Sequence, residues 1–162
     1  MKTWDQVIKD ALYMHVHKDE YAYFYGAKGQ KLTDAVMNAL WDAEPEYFRR
    51  YTEAEKKKIF KYSRNKTGYD CSGFIAAVTG CNTYSGAIWS RCTRKTTPFL
   101  GPAASILWRP GHVGLDIGYG YYLQTGKELE SIEMGRISEW LIAWEGSGRL
   151  EGYIDYEGAT NR

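Results

Sequence analysis

Cys71 lies in the run Gly68-Tyr69-Asp70-Cys71-Ser72-Gly73-Phe74-Ile75-Ala76-Ala77-Val78. A turn-forming glycine precedes it, and small and apolar residues follow. The pattern predicts a loop that delivers the cysteine to the first turn of a buried helix. Unpaired N–H groups and the positive end of the helix dipole there favour a thiolate over a thiol. A thiolate is a nucleophile and needs a base beside it. Of the three histidines, only His112 opens a strand-like stretch, in which Val113, Leu115 and Ile117 alternate with Gly114, Asp116 and Gly118. His15 and His17 stand two apart at the end of a helical pattern and point to different helix faces, which reads as a solvated or half-buried pair. Asp70 is a good helix N-cap, with Ser72 beside it.

Other elements must bring Cys71 and His112 together. Thr3 can cap a first helix in which Trp4, Val7, Ile8, Ala11 and Leu12 share a face. Tyr21 to Gln30 reads as a short extended piece and a glycine turn. Thr33 starts a second helix that ends before Pro45, and Thr52-Glu53-Ala54-Glu55 fits a capping box for a third. The Cys helix ends near Thr79-Gly80. Asn82 to Thr97 reads as a loop with one helical turn near Ala87-Ile88-Trp89. Pro102 to Trp108 is predicted as a strand. Tyr119-Gly120 is a hairpin turn, and Tyr121 to Thr125 returns beside the His112 strand. A further strand is expected near Ser131 to Met134, and edge strands from Trp140 to Trp144 and Gly152 to Tyr156.

The two stretches together resemble the NlpC-type cysteine peptidases, small papain-like endopeptidases of bacterial cell walls. Asp70 to Phe74 matches their Asp-Cys-Ser-Gly-apolar nucleophile motif, and His112 to Gly118 their His-Val-Gly strand, in the correct order. Pro102-Ala103-Ala104 departs from the Pro-Gly-Asp common in relatives. The resemblance implies an α+β papain-like fold, with helices first and the nucleophile helix on an antiparallel sheet. It implies one peptidase domain over 1–162 with a helical insertion at about 31–66. It assigns Cys71 as nucleophile, His112 as base and Gln124, in the return strand, as the group that orients the imidazole; Asp116 is the rival for that third place. It also assigns Tyr23, Asp70 and Ser72 to the amino end of a wall stem peptide. The implied reaction cuts the γ-D-glutamyl-diamino acid bond. Competing readings are an N-acetylmuramoyl-L-alanine amidase, an acyltransferase or transglutaminase-like enzyme, and a non-enzymatic binding module.

The length of 162 residues suits one core, and a net charge of +1 gives no argument for nucleic acid or an acidic membrane surface. No cofactor is expected, the partner is a stem peptide, and the chain is expected to be a monomer. Three cysteines without a Cys-x-x-Cys pair argue against a disulfide scaffold, although Cys81 and Cys92 would pair if brought together. A zinc site from Cys71, Cys81, Cys92 and His112 lacks supporting spacing. No long apolar run follows Met1, so neither a signal peptide nor a membrane span is visible. That leaves release as a phage lysin, carriage with a virion, or a trimmed chain as routes to the wall.

Overall fold

A computed structural model describes residues 1–139 and 143–160. Strand β1 (Lys2–Thr3) leads into helix α1 (Trp4–Val16), where Gln6 Oε1 accepts the Thr3 N–H at 3.1 Å. Strands β2 (Tyr21–Tyr23) and β3 (Lys28–Lys31) follow, then α2 (Asp34–Ala43), α3 (Pro45–Phe48) and α4 (Glu53–Ser63). Thr33 Oγ1 accepts the Val36 N–H to cap α2, and Thr52 and Glu55 cap α4 reciprocally. Pro45 stops α2 and serves as the first residue of α3, a position where its missing N–H costs nothing.

Strand β4 (Thr67–Tyr69) then delivers the chain to α5 (Cys71–Thr79), which closes on Gly80 at φ +85°. Next come α6 (Ser85–Arg91), β5 (Thr93–Thr96), β6 (Ile106–Arg109), β7 (His112–Gly118), β8 (Tyr121–Gln124), β9 (Glu133–Arg136), β10 (Gly146–Arg149) and β11 (Ile154–Asp155). Six strands form the main antiparallel sheet in the order β5-β10-β6-β7-β8-β9. A smaller sheet has the order β2-β4-β3, and β1 pairs with β11 in parallel. The architecture is α+β, with α5 packed on the antiparallel sheet.

The main core lies between α1, α5, α6 and the sheet, around Val7, Phe74, Ile75, Val78, Ile106, Val113, Leu115 and Leu123. A second core, around Phe24, Leu32, Met37, Phe48, Ile59 and Phe60, holds α2, α3 and α4 against β2. The Cys71 end of α5 sits where these two units meet.

Several sequence expectations need correction. Pro102 to Ser105 is a turn, not strand, and Ala104 lies at φ +66°. Pro102 has no N–H, while the Ala103 and Ala104 N–H groups go to Thr160 O and Asp116 O, so no ladder is available there. The expected single turn near Ile88 is the seven-residue α6, followed by β5. The strand expected at Ser131 begins two residues later, at Glu133. Of the expected edge strand from Trp140 to Trp144, residues 140–142 lie outside the described residues, and Ala143 and Trp144 are not strand. The strand comes instead at β10, which lies inside the sheet between β5 and β6.

Strand β10 reads as a loop in sequence because its residues are Gly-Ser-Gly-Arg. Packing explains the small residues. A Cβ on Gly146 would lie 2.8 Å from Trp89, and one on Gly148 2.8 Å from Cys92 Cβ and 3.0 Å from Trp89. Trp89 in turn stacks on Trp108 with ring centroids 5.0 Å apart. Gly148→Ala is therefore expected to destabilise the protein by about 1–3 kcal/mol through overpacking, read as a lower urea midpoint at unchanged m-value.

Candidate active site

Cys71 is the first residue of α5, and Asp70 is its N-cap. Asp70 Oδ1 accepts the Gly73 N–H at 2.7 Å, so one carboxylate oxygen fixes the helix start. The start is pressed against the β3 side of the small sheet. A Cβ on Gly73 would lie 2.7 Å from Ala27 O, and the Asp70 N–H already bonds that oxygen at 2.9 Å. Cys71 thus faces β7, where its sulfur draws on the backbone N–H groups of Val113 and Ser72. Val113 is the neighbour of His112, and Cys71 and His112 both line the cleft at the α5–β7 contact.

His112 opens β7 on the cleft side. Its Nε2 lies 2.6 Å from Gln124 Oε1. An amide oxygen only accepts, so Nε2 carries the proton and Nδ1 keeps a free lone pair, the tautomer a base needs. Register explains the reach. Leu115 pairs with Leu123, so Gln124 stands across from Gly114 and diagonal to His112. Gly114 leaves the gap that a ring fills: a Cβ there would lie 2.8 Å from Trp144. Trp144 stacks flat on the His112 ring, with centroids 5.3 Å apart and planes at 12°. The imidazole is therefore held edge-on by an amide and face-on by an indole.

Burial acts on both groups. It pushes the Cys71 thiol up, partly offset by the Val113 and Ser72 N–H groups and by the Lys28 charge. It pulls His112 below the ordinary imidazole value, partly offset by the bond to Gln124, while nearby Arg109 lowers it further. Both directions disfavour the charged forms, thiolate and imidazolium. This differs from the thiolate expected at a helix N-terminus, because desolvation outweighs the N–H donors.

Cys71, His112, Gln124, Tyr23, Asp70 and Ser72 all line one cleft of about 950 Å³. Tyr23 is 5% exposed and shares a hydrogen bond with Tyr47. Asp70 and Ser72 are already engaged: Lys28 Nζ lies 2.7 Å from Asp70 Oδ1 and also donates to Ser72 Oγ. Asp116 is not among the cleft-lining residues; its carboxylate is buried and accepts the Gly118 N–H at 2.8 Å. His15 and His17 lie elsewhere, on Ile132 O and Tyr13 O. Cys81 and Cys92 are free thiols buried in the main core, and burial pushes Cys92 up to about 12. Among the described residues no three His, Cys, Asp or Glu side chains converge as a metal site, and no helix is long and apolar enough to cross a membrane.

Sequence reasoning missed Lys28, Trp144 and Glu128. Glu128 is 4% exposed, and its Oε2 accepts the Tyr47 and Tyr51 hydroxyls at 2.8 and 2.7 Å. One buried carboxylate thus ties the end of the helical unit to the β8–β9 connection. Tyr47 also stacks on Tyr25, with centroids 3.8 Å apart, to complete an aromatic wall of the cleft. Only the glycine two residues after His112 hinted at any of this, as a slot for a ring.

The fold of the chain is found in known hydrolases. The peptidoglycan hydrolase RipB from Mycobacterium tuberculosis superposes with a TM-score of 0.51 at 15% identity, over 91% of this chain and 66% of that one. The fold is shared with RipB. The NlpC/p60 domain of the peptidoglycan hydrolase SagA also matches, at 26% identity over 51% of this chain and 77% of that one, with a TM-score of 0.43. No family model matches the chain, and no curated protein matches it significantly in sequence.

Asp116 generates a pH prediction. Burial pushes its carboxyl from an ordinary value of 3.8 up to about 7. The folded state then holds this proton more tightly than the unfolded state. Its contribution to stability is intact below about pH 4, falls as pH rises towards 7, and is level above that. Asp116→Asn lacks this loss, so its stability relative to wild type should grow between pH 4 and 7 and then stay constant. Urea unfolding across that range measures it.

Proposed function

We propose that this chain is an NlpC-type cysteine endopeptidase that cuts peptidoglycan stem peptides between the γ-D-glutamyl residue and the diamino acid. The observation that carries the reading is the 2.6 Å contact of His112 Nε2 with Gln124 Oε1 in the cleft that Cys71 also lines, which leaves Nδ1 free to act as the base. The fold shared with RipB, a peptidoglycan hydrolase, supports the choice of substrate. So does a cleft walled by tyrosines and bordered by charged and polar side chains, which offers an extended peptide both apolar faces and hydrogen-bonding groups.

In this mechanism His112 Nδ1 takes the thiol proton as Cys71 Sγ attacks the peptide carbonyl. The Cys71 N–H at the helix start has no intrahelical partner and stabilises the oxyanion. His112 then gives its proton to the leaving amine. Water, deprotonated by the same imidazole, hydrolyses the thioester. Gln124 and Trp144 keep the ring in place through both transfers. A neutral amide stabilises the imidazolium less than a carboxylate would, so the base stays weak and the site relies on orientation.

Mass spectrometry of muropeptides from purified sacculi tests the reading. Wild type should release fragments with a new amino end on the diamino acid; a new amino end on the first stem residue would indicate an amidase instead. Cys71→Ala and His112→Ala should each abolish release without loss of fold, since nucleophile and base act as a unit. Product formation by Cys71→Ala would refute the mechanism.

Two finer outcomes follow from the geometry. Gln124→Ala should lower kcat by about 10- to 100-fold with little change in KM, as for loss of an orienting partner. Because burial lowers the His112 pKa, the acid limb of kcat/KM should have its midpoint below the ordinary histidine value of 6.5. A midpoint above that value would mean that another group supplies the base.

A further inference from the structure

Lys28 is a cation built into the wall of the cleft beside the nucleophile. It stands across from Tyr69 in the small sheet, one residue before Asp70. Its Nζ lies 2.7 Å from Asp70 Oδ1 and donates to Ser72 Oγ. The pair is largely withdrawn from water, with side-chain exposures of 33% for Lys28 and 14% for Asp70. Ser72 is 4% exposed and itself lies 3.1 Å from Asp70 Oδ1. Asp70 Oδ1 therefore takes the lysine ammonium, the serine hydroxyl and the Gly73 N–H together. All of these groups border the residue that carries the thiol.

Without Lys28, this corner of the cleft would present an uncompensated carboxylate and a hydroxyl, a natural seat for a substrate ammonium. With it, the seat is taken by the chain's own ammonium. A second ammonium would have to displace the first from a poorly hydrated pocket, or sit beside a like charge. A neutral amide carbonyl or a carboxylate meets no such opposition. A primary ammonium has three donors, and two are used here, so the third remains for such an acceptor.

We propose that Lys28 sets the specificity of the subsite beside Cys71, which accepts a stem peptide whose amino end is acylated and disfavours one with a free primary ammonium. The substrate class is then stem peptide still amide-linked at its amino end, not peptide already released from the glycan. This rests on the peptidase reading above. It replaces substrate recognition by Asp70 and Ser72 with an internal ion pair, and it makes Lys28 the group that meets the substrate.

The test uses L-alanyl-γ-D-glutamyl tripeptides ending in lysine or diaminopimelate, each with a free or an N-acetylated amino end. Binding is measured by calorimetry on the full chain carrying Cys71→Ala, which separates recognition from catalysis. The acetylated form should bind about tenfold or more tightly than the free amine. Adding Lys28→Met, which keeps the apolar stem and removes the charge, should reverse or abolish that preference; Lys28→Arg should keep it. On the active chain, the ratio of kcat/KM values should move in the same way. Equal or tighter binding of the free amine to the Lys28 protein overturns the inference, as does an unchanged ratio in Lys28→Met. Failure of the wild type to cleave any tripeptide or sacculus counts against the peptidase reading alone, because the binding preference is read without turnover.

Discussion

The site depends on one carboxylate oxygen. Asp70 Oδ1 caps α5 through the Gly73 N–H, and so sets where the helix begins and which way Cys71 points. The same atom holds Lys28 and Ser72, so helix capping and cleft electrostatics are a single constraint. Its rigidity comes from behind. Ala27 O takes the Asp70 N–H and leaves no room for a Cβ on Gly73, so the turn into α5 cannot relax towards the small sheet. A side chain at a helix start fixed this way has little freedom to reorient.

The cleft is the seam between two packing units. The main sheet with α1, α5 and α6 supplies Cys71, His112 and Gln124, while the helical unit supplies Tyr47 and Tyr51. Glu128 bridges the seam from the sheet side by accepting both hydroxyls. Burying a carboxylate without a basic partner is costly unless it is hydrogen-bonded; the two tyrosines bond Oε2, while Oε1 is buried without a partner. Their own hydroxyls are pushed up mainly by burial, so they remain donors at any physiological pH. The aromatic wall is thereby tied to the same sheet that holds the base.

Burial acts against the charged form of both Cys71 and His112. Burial raises the thiol and lowers the imidazole, and neither charged form is favoured before substrate arrives. The face of Trp144 supports the His112 ring, and an electron-rich indole tolerates a positive charge beside it.

Local chemistry in the sequence determined a good deal. The caps at Thr33, Thr52 and Asp70, the αL stop at Gly80, the alternation in β7 and the turn at Tyr119-Gly120 depend on neighbouring residues, and their patterns are visible in the chain. The order of Cys71, His112 and Gln124 was legible through the resemblance of their stretches to the NlpC-type motifs, and the hairpin register brings the last two into contact. Long-range packing decided the rest. Strand β10 is invisible locally because its glycines answer to Trp89, 57 residues or more away, and the turn at Ala103 and Ala104 answers to acceptors at Thr160 and Asp116. Lys28 meets Asp70, 42 residues on, only because β3 pairs with β4. Glu128 reaches Tyr47 and Tyr51 across 81 and 77 residues. Pattern and propensity act over a few residues, whereas ion pairs, ring stacks and desolvation depend on which distant segments the fold brings into contact, and that is what tertiary structure alone supplied.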